Sequence, residues 1–231
     1  MVWRAEHKGK NMGHERLNDK FAALHAHRVQ TMNPQDLDVN IRQREYLVQN
    51  TDRSKLPRPG DKVPDFDLPD VEGGSVKLVD LRAKGPVVLL FFRFAGCPAC
   101  NIALPHYEQH LYPGLTARGA TLLAVSPQVP EKLLEIKTRH NLSFKLASDT
   151  GNRLGKHFGI VFSPSPEAQK NAEAKGINLG EITGTGTAEL PMPAVIVIGR
   201  DGVIRYADVS PDWLVRTEVE EILAALEPAL A

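Results

Sequence analysis

Cys97 and Cys100 are the only cysteines in the chain, and they stand three residues apart in VVLLFFRFAGCPACN, directly behind an apolar run. Two sulfurs so close can bond to each other and part again, which is the chemistry of reversible thiol–disulfide exchange. The run VVLLFFRF is β-branched and aromatic and has the length of a buried strand ending near Phe94. A turn at Ala95–Gly96 and a helix opening at Cys97 or Pro98 follow. Proline suits the first helical position, because its missing N–H would have no partner there anyway. Both thiols then occupy the first helical turn, where free N–H groups and the helix dipole favour a thiolate. Arg93, just upstream, is a candidate to add positive charge.

Other uses of these residues have to be weighed. The cysteines could be two small core residues, but chance rarely sets a pair on a strand-to-helix turn. A structural zinc needs four ligands, and the histidines nearest in sequence, His106 and His110, point away from the sulfurs around the helix. HYEQH lacks the glutamate that a zinc protease carries directly after its first histidine, so it reads as a solvated helix face. His7, His14, His25 and His27 show no ligand spacing, and GTGTAEL is not a phosphate loop. No metal or cofactor is expected.

The elements that must position the thiols follow from the pattern of the rest. A helix spans about Pro98 to Leu111, with Pro105 inside it and Pro113 ending it. ATLLAVSP reads as a second buried strand, and PEKLLEIKTRHN as an amphipathic helix with Leu133, Leu134 and Ile136 on its apolar side. FKLASD is a short strand, and NRLGKHFG a short helix closed by Gly159. AVIVIGRDGVIRYADV gives two strands around an Asp201–Gly202 turn, and TEVEEILAAL a closing helix. The fold class is therefore α/β, a mixed central sheet flanked by helices. The polar stretch of about 163–190 reads as an insertion with a short helix and a mobile loop. Residues 1–58 form a helical arm and linker ahead of the main domain, 59–231. The arm's stripe Leu17, Phe21, Leu24 suits docking on that domain, or on a second copy in a homodimer.

Composition bounds the function. The 231 residues hold 28 basic and 28 acidic side chains and 42% apolar residues. A net charge of zero gives no overall pull toward nucleic acid or an anionic membrane. No apolar run reaches the ~20 residues of a membrane helix, and the charged N-terminus has no apolar signal stretch. A cytoplasmic protein is expected, and in a reducing compartment a C-x-x-C pair is more often redox-active than structural.

Several stretches taken in order carry a resemblance. GDKVPDFDLPDVEGGSVKLVDL, the strand with GCPACN, GATLLAVSPQ, LASDTGNRLGKHFGIVF and MPAVIVIGRDGVIRY together resemble the peroxiredoxin-like branch of the alkyl hydroperoxide reductase/thiol-specific antioxidant family, on the thioredoxin fold. The resemblance implies a thiol-dependent peroxidase acting on hydrogen peroxide or organic hydroperoxides. In that reading Cys100 attacks, Cys97 resolves, and a thioredoxin or glutathione system returns the disulfide to thiols. It also implies a cis Met192–Pro193 bond, with Pro193 facing the thiols. The chain departs from the family's P-x-x-x-T-x-x-C pattern: Cys97 stands at the threonine and Arg93 at the proline, and no arginine occupies the later strand near Pro193. Those departures keep a thiol–disulfide oxidoreductase as the alternative, with Cys97 forming the mixed disulfide. A non-enzymatic redox sensor whose arm holds a partner is the third reading.

Overall fold

A computed structural model describes residues 15–230; His7 and His14 lie outside the described residues. The chain opens with two helices, α1 (Leu17–Thr31) and α2 (Pro34–Asn50), then the hairpin strands β1 (Asp67–Pro69) and β2 (Ser75–Lys77) and helix α3 (Leu78–Lys84). Next come β3 (Val87–Phe91), α4 (Pro98–His110), α5 (Tyr112–Thr116), β4 (Thr121–Ser126), α6 (Pro130–Arg139) and β5 (Lys145–Ser148). The remainder is α7 (Arg153–His157), β6 (Val161–Phe162), α8 (Pro166–Glu173), α9 (Leu179–Thr183), β7 (Leu190–Pro191), β8 (Ala194–Ile198), β9 (Ile204–Val209) and α10 (Val219–Leu230).

Five strands form a mixed sheet in the order β5-β4-β3-β8-β9. β3 lies at its centre, parallel to β4 and antiparallel to β8. Every residue of β3 is buried, as a strand covered on both faces requires, and this is why its sequence is a continuous apolar run. The strand stops at Phe91, three residues before the expected end. Phe92 still gives its N–H to Val125, but Ser126 Oγ then takes the Arg93 carbonyl and Gln128 takes the Ala95 N–H. The chain has already turned toward the cysteines.

The arm docks within the chain. Leu17 and Phe21 are fully buried, and α1 packs on α4. No side chain next to α1 in sequence caps it. Instead the buried carboxylate of Glu218, just before α10, accepts the N–H groups of Leu17 and Asn18, both at 3.0 Å. An acidic group at a helix start satisfies orphan donors and complements the dipole. The second helix, capped by Asn33, leans on α8 through an Arg42–Glu167 pair and on the turn after it through Asp36–Lys175. Gln43 also accepts the Ser165 N–H at 2.6 Å.

Several expectations are corrected. Leu134 is exposed at 41%. The third residue on the inner side of α6 is Lys137, whose stem is buried while Nζ reaches the Phe144 carbonyl at 2.7 Å. Pro113 does not end a helix but sits in the first turn of α5, where its lack of an N–H costs nothing. The 163–190 stretch holds two helices, α8 and α9, and is closed at its base by the pairing of β6 with β7. Its threonines are tied together, Thr183 Oγ1 lying 2.9 Å from Thr185 Oγ1 and 3.0 Å from the Thr187 carbonyl. His106 is buried rather than solvated, its ring 4.7 Å from that of His110. The Met192–Pro193 bond is trans, as is every peptide bond described. Met192 N–H bonds Ile160 and the Pro193 carbonyl accepts from Ser210, so the chain runs extended from β7 into β8.

Candidate active site

The loop between β3 and α4 is held by side chains from three directions. Gln128, two residues past β4, accepts the Ala95 N–H at 2.7 Å. Asn101 gives its amide to the carbonyls of Ala95 at 2.7 Å and Cys97 at 2.9 Å. Arg139 and His140 in turn hold Asn101 Oδ1, at 3.0 and 2.8 Å. Such a shell fixes the turn before any substrate arrives.

Cys97 is the N-cap of α4 and Pro98 its first residue, so both thiols lie at the helix start as the sequence predicts. Both are free and buried, 1% and 0% exposed, while Gly96 and Pro98 on either side of Cys97 are exposed. The sulfurs thus lie one residue layer beneath the surface. They share one acidity. The Cys100 thiol hydrogen-bonds to Cys97, and the charges of Arg93 and Arg216 help, so Cys97 is held well below the ordinary thiol range against the cost of burial. Burial first, then the hydrogen bond to Cys97 and the charge on it, push Cys100 well above it. The pair therefore ionises once, on Cys97. Beside the second thiol and the two guanidinium groups, the Cys100 N–H in the first turn of α4 also favours the charge on Cys97.

Arg93 is half-buried just past the end of β3. Its guanidinium lies on the Trp213 ring at 4.3 Å, with Phe94 and Phe162 at 5.6 and 6.0 Å. Pro193 is buried at the head of β8, and its trans bond gives no support to the role drawn for it from the resemblance.

Arg216 was not anticipated. It is 3% exposed; Nη2 points at the Cys100 sulfur at 3.8 Å and Nε donates to the Trp213 carbonyl at 3.0 Å. Phe21 of the arm covers its other side at 5.6 Å. The only hint in the sequence is a single basic residue directly before the closing helix. Gln128 was visible as the last residue of GATLLAVSPQ, though nothing there gave it a task. Among the described residues no group of three His, Cys, Asp or Glu side chains is placed to hold a metal.

A buried dithiol with one thiolate, two nearby cations and a fixed turn can attack an electrophilic sulfur or oxygen and then close on itself. Comparison with known proteins gives the family. Peroxiredoxin Bcp of Escherichia coli is 30% identical over 103 residues, 45% of this chain and 65% of that one. Rv2521 of Mycobacterium tuberculosis, also named as a peroxiredoxin, is 37% identical over 39% of this chain, which spans only 57% of its length. Thiol-disulfide oxidoreductase ResA of Geobacillus thermodenitrificans is 34% identical over 56% of this chain and 72% of its own. The crystal structure of peroxidoxin BcpB from Mycobacterium tuberculosis superposes with a TM-score of 0.59 at 22% identity, over 76% of this chain and 99% of that one, which shows a shared thioredoxin-like fold. The sequence model described as AhpC/TSA family matches residues 59–207, most of the chain and both cysteines, and on that match this chain belongs to the AhpC/TSA family.

Proposed function

We propose that this chain is a thiol peroxidase running a dithiol–disulfide cycle between Cys97 and Cys100. The observation that carries the reading is a free, buried cysteine pair at the head of one helix, Cys97 as its N-cap and Cys100 in its first turn, with the Arg216 guanidinium 3.8 Å from the Cys100 sulfur; the lowered pKa of Cys97 and the raised one of Cys100 agree with it. The Cys97 thiolate attacks one oxygen of a hydroperoxide and the O–O bond breaks. Cys97 becomes a sulfenic acid, and the alkoxide leaves as an alcohol after taking a proton. The Cys100 thiol then displaces hydroxide from the sulfenic sulfur, its proton leaves with it as water, and the disulfide forms. Two thiol equivalents from a thioredoxin- or glutathione-type reductant restore the pair. This order reverses the one drawn from the family pattern, in which Cys100 attacks. The cycle needs a reducing compartment such as the cytosol; among the described residues no helix is long and apolar enough to cross a membrane. The fold suits a division near residue 58, with the arm serving the catalytic domain.

The test mixes pre-reduced protein with hydrogen peroxide or an organic hydroperoxide and follows disulfide formation by mass. Cys97→Ser should abolish it. Cys100→Ser should stop at a sulfenic acid on Cys97. If peroxide oxidises the pair no faster than a free small thiol, the reading fails. An ionised N-cap cysteine and the match to ResA support a second reading, thiol–disulfide exchange, which would show as insulin-disulfide reduction lost in Cys97→Ser.

A further inference from the structure

Arg216 is a buried cation in a stretch of chain with no ladder or helix to hold it. It is 3% exposed and lies in the irregular segment between β9 and α10. Among the described residues it forms no ion pair with a carboxylate within 4.0 Å. A guanidinium so placed is costly unless its surroundings hold it. Its Nε donates to the Trp213 carbonyl at 3.0 Å, its Nη2 points at the Cys100 sulfur at 3.8 Å, and the Phe21 ring lies 5.6 Å away. These contacts orient the guanidinium. The backbone it hangs from is fixed by the arm.

Asn18, in the first turn of α1, takes both polar groups of the Arg216 backbone. Its Oδ1 accepts the Arg216 N–H at 2.8 Å, and its Nδ2 donates to the Arg216 carbonyl at 2.8 Å. The same Nδ2 donates to Glu218 Oε1 at 2.6 Å. One amide side chain thus does for this residue what a neighbouring strand would do, across 198 positions of sequence. The next residue is tied from other sides. Tyr107 of α4 donates its hydroxyl to the Thr217 carbonyl at 2.7 Å, and Thr217 Oγ1 donates to Asp208 of β9 at 2.8 Å. Phe21 follows Asn18 by three residues and so shares its helix face. One face of α1 therefore supplies both the clamp on the backbone and the ring beside the guanidinium.

The charge of Arg216 weighs most in one step. When the pair closes, the Cys100 thiol gives up its proton, the S–S bond forms, and the bond from the Cys97 sulfur to its leaving group breaks. Negative charge passes through the Cys100 sulfur, which is fully buried, and a cation 3.8 Å away acts strongly on it there. Cys97 leans on Arg216 less, since the Cys100 thiol and Arg93 both favour its charge more.

We propose that Asn18 is a positioning residue for the closing of the disulfide: by clamping the Arg216 backbone it holds the guanidinium against the Cys100 sulfur. This is what the helical arm contributes to the site. The place of the step in a peroxide cycle rests on the peroxidase reading; the clamp itself does not.

The test reads the closing step without peroxide. The Cys97 thiolate attacks one equivalent of a dipyridyl disulfide, forming a mixed disulfide and releasing one thiopyridone. Cys100 then displaces the second, so the reagent is reduced as the pair is oxidised. In Asn18→Ala the second release should slow about tenfold, as a guanidinium withdrawn by about 2 Å would give, with the first within about twofold. Arg216→Gln should slow it at least as much. Adding Asn18→Ala to Arg216→Gln should change it by less than about twofold, because Asn18 acts through Arg216. Gln43→Ala loosens the other arm helix from the Ser165 N–H and should leave both releases at wild-type rates. If Asn18→Ala does not fold, Asn18→Ser, with one hydroxyl in place of the two-point clamp, reads the same step.

An unchanged second release overturns the clamp. A loss that persists in full on the Arg216→Gln background, or that Gln43→Ala reproduces, overturns it too, since Asn18 would then only stabilise the arm. With hydrogen peroxide, Asn18→Ala should leave about tenfold more Cys97 sulfenic acid for dimedone to trap than the wild type does. A slowed second release in a protein that peroxide oxidises no faster than a free thiol overturns the peroxidase reading and leaves the clamp standing.

Discussion

Replacing Cys100 by alanine or by serine separates the hydrogen bond from every other influence on Cys97. Each variant leaves one sulfur, so thiolate absorbance and alkylation report on Cys97 alone. In the wild type the largest favourable influence on its charge is the Cys100 thiol, ahead of Arg93 and Arg216. A hydrogen bond to a charged group contributes about 1.5–3 kcal/mol, and a thiol is a weak donor, so the lower end applies. At about 1.4 kcal/mol per pKa unit, losing it should raise the pKa of Cys97 by roughly one unit. Alanine removes the donor and also strips Arg216 Nη2 of its sulfur partner at 3.8 Å. Serine keeps a donor of similar size, and its O–H is the stronger one. The assay is a pH scan of thiolate absorbance, checked by the alkylation rate. Alanine should titrate about one unit above serine, and serine at or below the wild type. Titration of the two variants within about 0.3 unit of each other would refute the coupling, because that difference is under 0.5 kcal/mol.

Two further outcomes follow from the same geometry. Because Cys97 is held below the ordinary thiol range, its thiolate forms at a lower pH than that of a free thiol. The oxidation rate should climb as pH rises through the depressed value and level off before the ordinary thiol value of about 8.5; a climb that continues beyond it would mean that Cys97 titrates normally. Glu218→Gln should lower stability by about 1–3 kcal/mol, since it weakens the acceptor for two N–H groups, one of them buried. Amide exchange should quicken in the first turn of α1, with the sheet unchanged; equal effects in both would show that Glu218 is not an arm anchor.

The sheet was legible because its centre is written in runs that have few other uses. VVLLFF and AVIVI can hardly be anything but strands covered on both faces, and Asp201–Gly202 marks the return between β8 and β9, with Gly202 at φ 81°. The cysteine pair was legible because its spacing, its proline and the preceding strand all concern neighbours in sequence. The rest of the site was not. Arg216 meets Cys100 across 116 positions and Glu218 caps α1 across 201; no local periodicity records either. Leu134 and Lys137 misled for a different reason. A helix stripe counts apolar letters, whereas Lys137 is buried by its stem and satisfied at its tip. His106 misled likewise, since a polar letter on a helix beside another histidine does not reveal that α4 turns it inward.

The two departures from the family pattern are physically one change. Cys97 stands where that pattern has threonine and Arg93 where it has proline, and the fold puts the charge of the second to work on the sulfur of the first. A thiolate at the N-cap lies between the exposed Gly96 and Pro98, the shorter way in for a peroxide. Cys100, one helical turn deeper and without exposure, has to stay protonated to lend its hydrogen bond. It becomes a nucleophile only after Cys97 has lost its charge to the oxidant. At that moment the share of the upward push that came from Cys97 disappears while that of burial stays, and Arg216, 3.8 Å from its sulfur, favours the negative charge that must build there. Burial and the charged Cys97 together hold Cys100 protonated through the first step, and oxidation of Cys97 lifts only the second of these influences, so the order of the two steps follows from where each sulfur sits.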